Sequence, residues 1–214
     1  MVVRMERAVR VAGLLGSIGA VIWIANLLFE YAHVPNLDPA NPSHATGGAF
    51  FANQLGFLVA MTGIVAMAAG FVRSRLAGRG VFAGISAGLF FGGWALLWVS
   101  AIVSLAILAA GGTVPDALGV PQAIGGIAST IGAWLIPVAV LRAKAWRGWQ
   151  RFAPLALAVY QIPFFVLTAS NNGNPPEWAE ATWQVFLGIL GFAMFSTRAA
   201  AEAPPLVEAE VPSA

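Results

Sequence analysis

Residues 81–110 read VFAGISAGLFFGGWALLWVSAIVSLAILAA, without one Asp, Glu, Lys or Arg. A helix rises 1.5 Å per residue, so about 20 mostly apolar residues cross the roughly 30 Å hydrocarbon layer of a membrane. The stretch exceeds that length. It predicts one tilted span, or a span extended along the interface to Gly111 and Gly112. Five further apolar stretches have the same character: residues 11–29, 50–72, 122–141, 152–170 and 178–195. The last is the most polar, but a helix-start signal lengthens it, with Asn174 as cap, Pro175 at the first position and Glu177 three residues after the cap. The expected fold is therefore all-α, an integral membrane bundle of six transmembrane helices arranged as three antiparallel hairpins. Residues 1–198 form the single domain. Residues 199–214, rich in Ala, Pro and Glu, lack the apolar periodicity to pack and are expected to be a disordered cytoplasmic tail.

Composition supports the membrane as solvent. Of the 214 residues, 59% are hydrophobic and 9% charged, against roughly 25% charged in soluble domains. So few charges cannot cover the surface of a soluble fold of this size. The absence of cysteine excludes disulfides, thiolate metal sites, cysteine nucleophiles and iron–sulfur clusters. A net charge of +2 does not mark a nucleic-acid partner, because the basic residues fall in short clusters between apolar runs and form no continuous patch. The basic start at Arg4, Arg7 and Arg10 resembles that of a signal peptide. The apolar run behind it exceeds the typical 7–15 residues or so, and no small-x-small cleavage site follows, which predicts a retained helix.

Charge placement orients the six spans. Arg73, Arg75 and Arg79 fall in the second turnaround, Arg142, Lys144, Arg147 and Arg151 in the fourth, and Arg198 after the last span. With the amino end inside, all 11 basic residues lie on one side, and the opposite loops carry Glu30, Asp38, Asp116, Glu177 and Glu180. Positive residues accumulate in cytoplasmic loops, so both termini are expected in the cytoplasm of a bacterial inner membrane protein. Trp146 and Trp149 are expected in the inner aromatic belt, and Trp178 and Trp183 in the outer one.

Inside a bilayer, helices associate through close contact and hydrogen bonds rather than by escape from water. Gly84, Gly88 and Gly92, at four-residue spacing, predict a groove in the third span where another helix of the chain crosses. Pro137 and Pro163 lie inside the fourth and fifth spans and predict kinks. Gln54, Gln122 and Gln184 each stand near the outer start of a returning helix, a hint of a triplicated hairpin.

Chemistry concentrates at the outer end of the first helix. Trp23, Asn26, Glu30 and His33 recur at three- and four-residue spacing and share one face. Glu30 and His33 form a Glu-x-x-His pair of the kind that binds metal in helical bundles, with His44 in the following Pro-rich loop. A dimetal site needs matching motifs on other helices, and a haem needs a histidine on a facing span. Both are missing, so no metal site is assigned and no cofactor is specified. A third reading makes Glu30 a general acid or substrate anchor at the mouth of an aromatic pocket. The bland alternative leaves it hydrated at the membrane edge. Asn53, Gln54, Ser100, Ser104, Gln122, Thr168 and Gln184 deepen the outer polarity, and Gln161 sits near the middle of the fifth span. No intramembrane lysine, span arginine, nucleotide loop or protease motif is present, which excludes a retinal Schiff base, a voltage sensor and the corresponding enzymes.

The opening ERAVRVAGLLGSIGAV (residues 6–21) and the inner turn LRAKAWRGWQRFAPLALAV (residues 141–159) resemble a group of small, uncharacterised multi-spanning bacterial membrane proteins, a resemblance that implies no activity. The segment WIANLLFEY (residues 23–31) is similar to the Asn-x-x-Trp-Glu stretch of integral membrane terpene cyclases, with Phe29 before Glu30 where that family has Trp. The acidic residue which that family carries on a late helix has no counterpart in this reading. The leading expectation is a non-enzymatic bundle that binds a lipid or small molecule, or an accessory subunit. The alternative is an intramembrane enzyme on an apolar, isoprenoid-like substrate, with Glu30 as acid and Trp23, Asn26, His33, Gln54 and Gln161 as binding residues. Expected partners are membrane lipids, an apolar small molecule and other membrane subunits.

Overall fold

The computed structural model describes residues 2–33, 47–144, 146, 148–171 and 175–197. Within them the chain forms α1 (Val2–His33), α2 (Gly48–Ser74), α3 (Val81–Ala109), α4 (Gly119–Ala143), α5 (Ala153–Ser170) and α6 (Glu177–Ser196). Short 3-10 turns, Asp116–Leu118 and Gly148–Phe152, lead into α4 and α5. All 6 helices are long and apolar enough to cross a membrane. The chain is thus an all-α, multi-pass bundle. The Pro-rich loop with Asp38 and His44, the cap at Asn174, Arg147 and the tail lie outside the described residues.

Each helix packs on the next in sequence, and α6 returns to α1, so that α1 is held between α2 and α6. Glycines set these contacts. On α1, Gly19 lies against Ala60 and Gly63 of α2, while Gly13 lies against Gly191 of α6. Ser17, between them, donates to the Gly188 carbonyl at 3.0 Å. On α3 and α4, Gly93 meets Gly125 and Ser129, and Gly132 meets the backbone of Phe90. Backbones approach this closely only where no Cβ intervenes, and lipid-embedded helices rely on such contacts.

The glycines singled out in the sequence are not among them. A Cβ built at Gly84, Gly88 or Gly92 meets nothing of the described residues within 4 Å, and all three glycines are exposed. Among the described residues no helix crosses this strip, contrary to the expectation. Four-residue spacing selects a face of α3, but Gly93, rotated about 100° from Gly92, carries the real contact.

The outside of the bundle is apolar as well as the inside. Val21, Leu28, Ile127 and Val166 are each more than 60% exposed, as expected for helices facing lipid. The interior is filled by Ile64, Met67, Phe71, Phe90, Trp94, Ile136, Leu157, Leu187 and Met194. α4 and α5 run as single helices through Pro137 and Pro163.

The helix ends segregate charge. Arg10, Arg73, Arg75, Arg79, Arg142, Lys144 and Arg151 gather at one end of the bundle, and Glu30, Asp116, Glu177 and Glu180 at the other. At the basic end Arg10 donates through Nε to the Phe195 carbonyl at 3.1 Å and lies over the Phe195 ring. A cation there complements the negative end of the α6 dipole. Arg75 and Lys144 close α2 and α4 in left-handed conformations, with φ of 54° and 51°. Of the expected belt tryptophans, Trp149 and Trp178 are exposed, but Trp146 is buried edge-on against Phe71 and Trp183 stacks inside the bundle. The expectation for Trp146 and Trp183 is corrected. Each lies at the right end of the bundle but turns inward to fill space between helices. Gln54 is half-buried, Gln122 exposed and Gln184 fully buried, so the three amides have no common role.

Candidate functional site at the acidic end of the bundle

Two linked layers of side chains occupy the acidic half. The first joins α1 to α2. Asn26 donates through Nδ2 to the backbone carbonyl of Asn53 at 2.9 Å, and Asn53 donates through Nδ2 to Glu30 Oε2 at 3.1 Å. Asn26 fits there because Gly56 faces it without a side chain. Asn26 and Glu30 lie one turn apart, as the sequence periodicity requires. Their α2 partner is Asn53, whereas Gln54 is rotated off that contact. The side chain of His33 lies outside the described residues, so its place beside Glu30 is not part of this geometry.

The second layer lies one turn deeper and is aromatic. Phe57 of α2 packs edge-on to Trp23 of α1 at 5.2 Å, and Trp23 packs edge-on to the buried Trp94 of α3 at 6.2 Å. Trp94 stacks on Trp183 of α6 at 5.7 Å, which stacks on Phe164 of α5 at 5.0 Å. The rings from five helices form one continuous path across the bundle, at separations where aromatic pairs attract beyond their buried area.

Glu180 enters this path from the last helix. Trp23 Nε1 donates to Glu180 Oε1 at 2.9 Å, so the α1–α6 contact has a polar clasp within an aromatic wall. Glu30 and Glu177 lie close enough to act on its charge. Glu180 was expected among the acids of the outer loops, although it falls inside the sixth apolar stretch, and no acidic residue was expected on a late helix. That is corrected: Pro175 and Pro176 precede the helix, α6 starts at Glu177, and Glu180 stands nearly one turn inside it. A reading of α6 as a helix face finds the signal, because Glu180, Gln184, Gly188 and Gly191 recur at helical spacing, and Gly188 and Gly191 are the residues that touch α1.

Gln184 is the most unusual member. It is fully buried, and among the described residues neither its Oε1 nor its Nε2 has a hydrogen-bond partner. Nearby in sequence or stacking, Trp183 Nε1 and Gln161 Oε1 are also buried and unpaired, and so is Asn53 Oδ1 at the layer above. By contrast, Tyr160, next to Gln161, finds a partner in the Ala179 carbonyl at 2.9 Å. Each unpaired buried polar atom costs about 1–3 kcal/mol, and native structures keep few of them. Gln184 by itself offers one donor and one acceptor next in sequence to the stacked ring of Trp183, which suits a guest with an apolar body and a hydrogen-bonding end. Among the described residues, no three His, Asp or Glu side chains come together as a metal ion requires.

No family model matches the chain, and neither the curated proteins nor the solved structures contain a significant match to it.

Proposed function

We propose that this chain is a bacterial inner membrane protein, with both termini in the cytoplasm, that binds a lipid or small apolar molecule bearing a hydrogen-bonding end. The orientation rests on the positive-inside bias: every basic residue of the helix ends falls at one end of the bundle. The binding reading rests on one observation, the fully buried Gln184 with both amide atoms unpaired among the described residues. A guest that donates to Oε1 and accepts from Nε2 removes that penalty, while Trp23, Trp94 and Trp183 supply the apolar wall. Native mass spectrometry of the gently delipidated protein tests it. The parent is expected to retain a small molecule that Gln184→Leu releases. Equal retention by parent and variant, or none by either, removes the proposal.

A second reading has its own observation behind it. Glu30 is held by Asn53 above an aromatic layer, and Glu180 adds a second carboxylate hydrogen-bonded to Trp23. In an intramembrane enzyme acting on an isoprenoid-like substrate, Glu30 is the acid and the ring faces stabilise a developing cation. Reconstituted parent and Glu30→Gln, incubated with a polyprenyl substrate and read by chromatography, separate the readings. Identical product profiles remove the enzyme.

A further inference from the structure

A second feature lies at the opposite, basic end. The last turn of α2, residues 75–80 and the first turns of α3 line an open cleft of about 270 Å³. Arg75 and Arg79, both exposed, line it, no acidic residue does, and neither guanidinium has a partner among the described residues. Gly80, Ala83 and Gly84 form its α3 wall. Among the described residues no side chain caps α3, so the amides of its first turn are left for another acceptor. Arg142 brings a further cation close by, with its guanidinium 5.6 Å from the Phe82 ring centroid. Phosphate is the group that unpaired guanidinium forks and free helix-start amides bind together.

The cleft opens onto an apolar track. Gly84 lines the cleft and also begins the outward glycine strip that continues through Gly88 and Gly92. Among the described residues nothing lies within 4 Å of a Cβ built at any of the three. From Gly84 to Gly92 the helix rises about 12 Å toward the membrane centre. Val81 and Ile85, both exposed, border the strip. Cationic pocket and smooth apolar groove are thus continuous on one helix face.

We propose that this face is a binding site for one anionic phospholipid of the leaflet at the basic end. Arg75, Arg79 and the α3 amides hold its phosphate, and an acyl chain lies along Gly84, Gly88 and Gly92. The charge of the pocket selects an anionic headgroup over a zwitterionic one, and the groove selects a lipid over a free phosphate ester. The site is separate from the acidic-end cluster and stands or falls independently of it.

Native mass spectrometry of the full chain, purified in detergent and supplied with defined lipids, tests the site. The parent is expected to keep one phosphatidylglycerol under activation that strips phosphatidylcholine. Arg75→Gln/Arg79→Gln is expected to weaken that affinity about thirtyfold, at roughly a factor of five per cation. Arg73→Gln, which removes an exposed charge outside the cleft, is expected to leave it unchanged. Gly88→Leu fills the groove and is expected to weaken phosphatidylglycerol while leaving soluble glycerol phosphate binding as in the parent. Equal melting temperatures in detergent confirm that the variants fold. Equal retention of the two lipids by the parent, or equal losses from Arg73→Gln and the double variant, shows general charge attraction and overturns the site. Full retention in Gly88→Leu overturns the acyl track.

Discussion

The indole of Trp23, near the far end of the first helix, donates to the carboxylate of Glu180, near the start of the last, at 2.9 Å. This bond joins the two ends of the sequence across the bundle, and at its other side Trp23 meets the aromatic path through Phe57 and Trp94. One side chain therefore ties helix pairing to the candidate site.

Trp23→Phe keeps the ring contacts but removes the donor, leaving a partly buried carboxylate without its partner. The expected loss is about 1–3 kcal/mol, read as a lower melting temperature in detergent. Glu180→Gln retains an acceptor and is expected to cost less. In the double variant Trp23→Phe/Glu180→Leu both polar groups are gone, and part of the loss is recovered. A double-mutant cycle with additive effects contradicts the coupling.

Two glycines on α3 separate packing from lipid exposure. A Cβ at Gly93 collides with the backbone of Ser129, whereas a Cβ at Gly88 meets nothing within 4 Å. Gly93→Ala is expected to melt well below the parent. Gly88→Ala is expected to melt at or slightly above it, since alanine gains up to about 1 kcal/mol in helix propensity. The reverse order places α4 on the wrong face of α3.

Topology is open to direct test in a chain with no cysteine. Single cysteines at Arg79, Asp116 and Glu177 stand at turns between helices. In intact cells an impermeant maleimide is expected to label positions 116 and 177 and to reach position 79 only after lysis. Labelling of position 79 from outside inverts the orientation.

The number and order of helices were legible in the sequence because hydropathy reports them directly. Residues 81–110 alone set the solvent, and the observed α3 ends within a residue of that stretch. Facing was less legible. An apolar helix in lipid has no polar side, so its periodicity does not say which face meets a neighbour. That is why the helix contact was assigned to Gly92 rather than to Gly93 beside it, and why Trp146 and Trp183 were placed in belts. At the site, the α1 face with Trp23, Asn26 and Glu30 was read from spacing, and Gln161 from its depth. Glu180 was missed because, although it falls inside the sixth apolar stretch, it was counted with the acids of the outer loops, and spacing along one helix does not show that Trp23 of another donates to it.

Gln184 gives the sharpest test of whether the acidic-end cluster is built for binding or for packing. Leucine has nearly the volume of glutamine but no polar atoms. In a site that only packs, the amide is a burden without return, and Gln184→Leu stabilises the protein under every condition, by up to the cost of two unpaired atoms. In a site that holds a guest, the amide is unpaired only when the guest is gone. The delipidated variant is then expected to melt above the delipidated parent. Adding back the extracted lipid is expected to raise the parent and not the variant, since a ligand stabilises only the state that binds it. Differential scanning fluorimetry with and without the extract reads the four melting temperatures. A variant that melts below the parent by the same margin in both conditions shows an amide already satisfied within the fold, and the binding role of Gln184 fails.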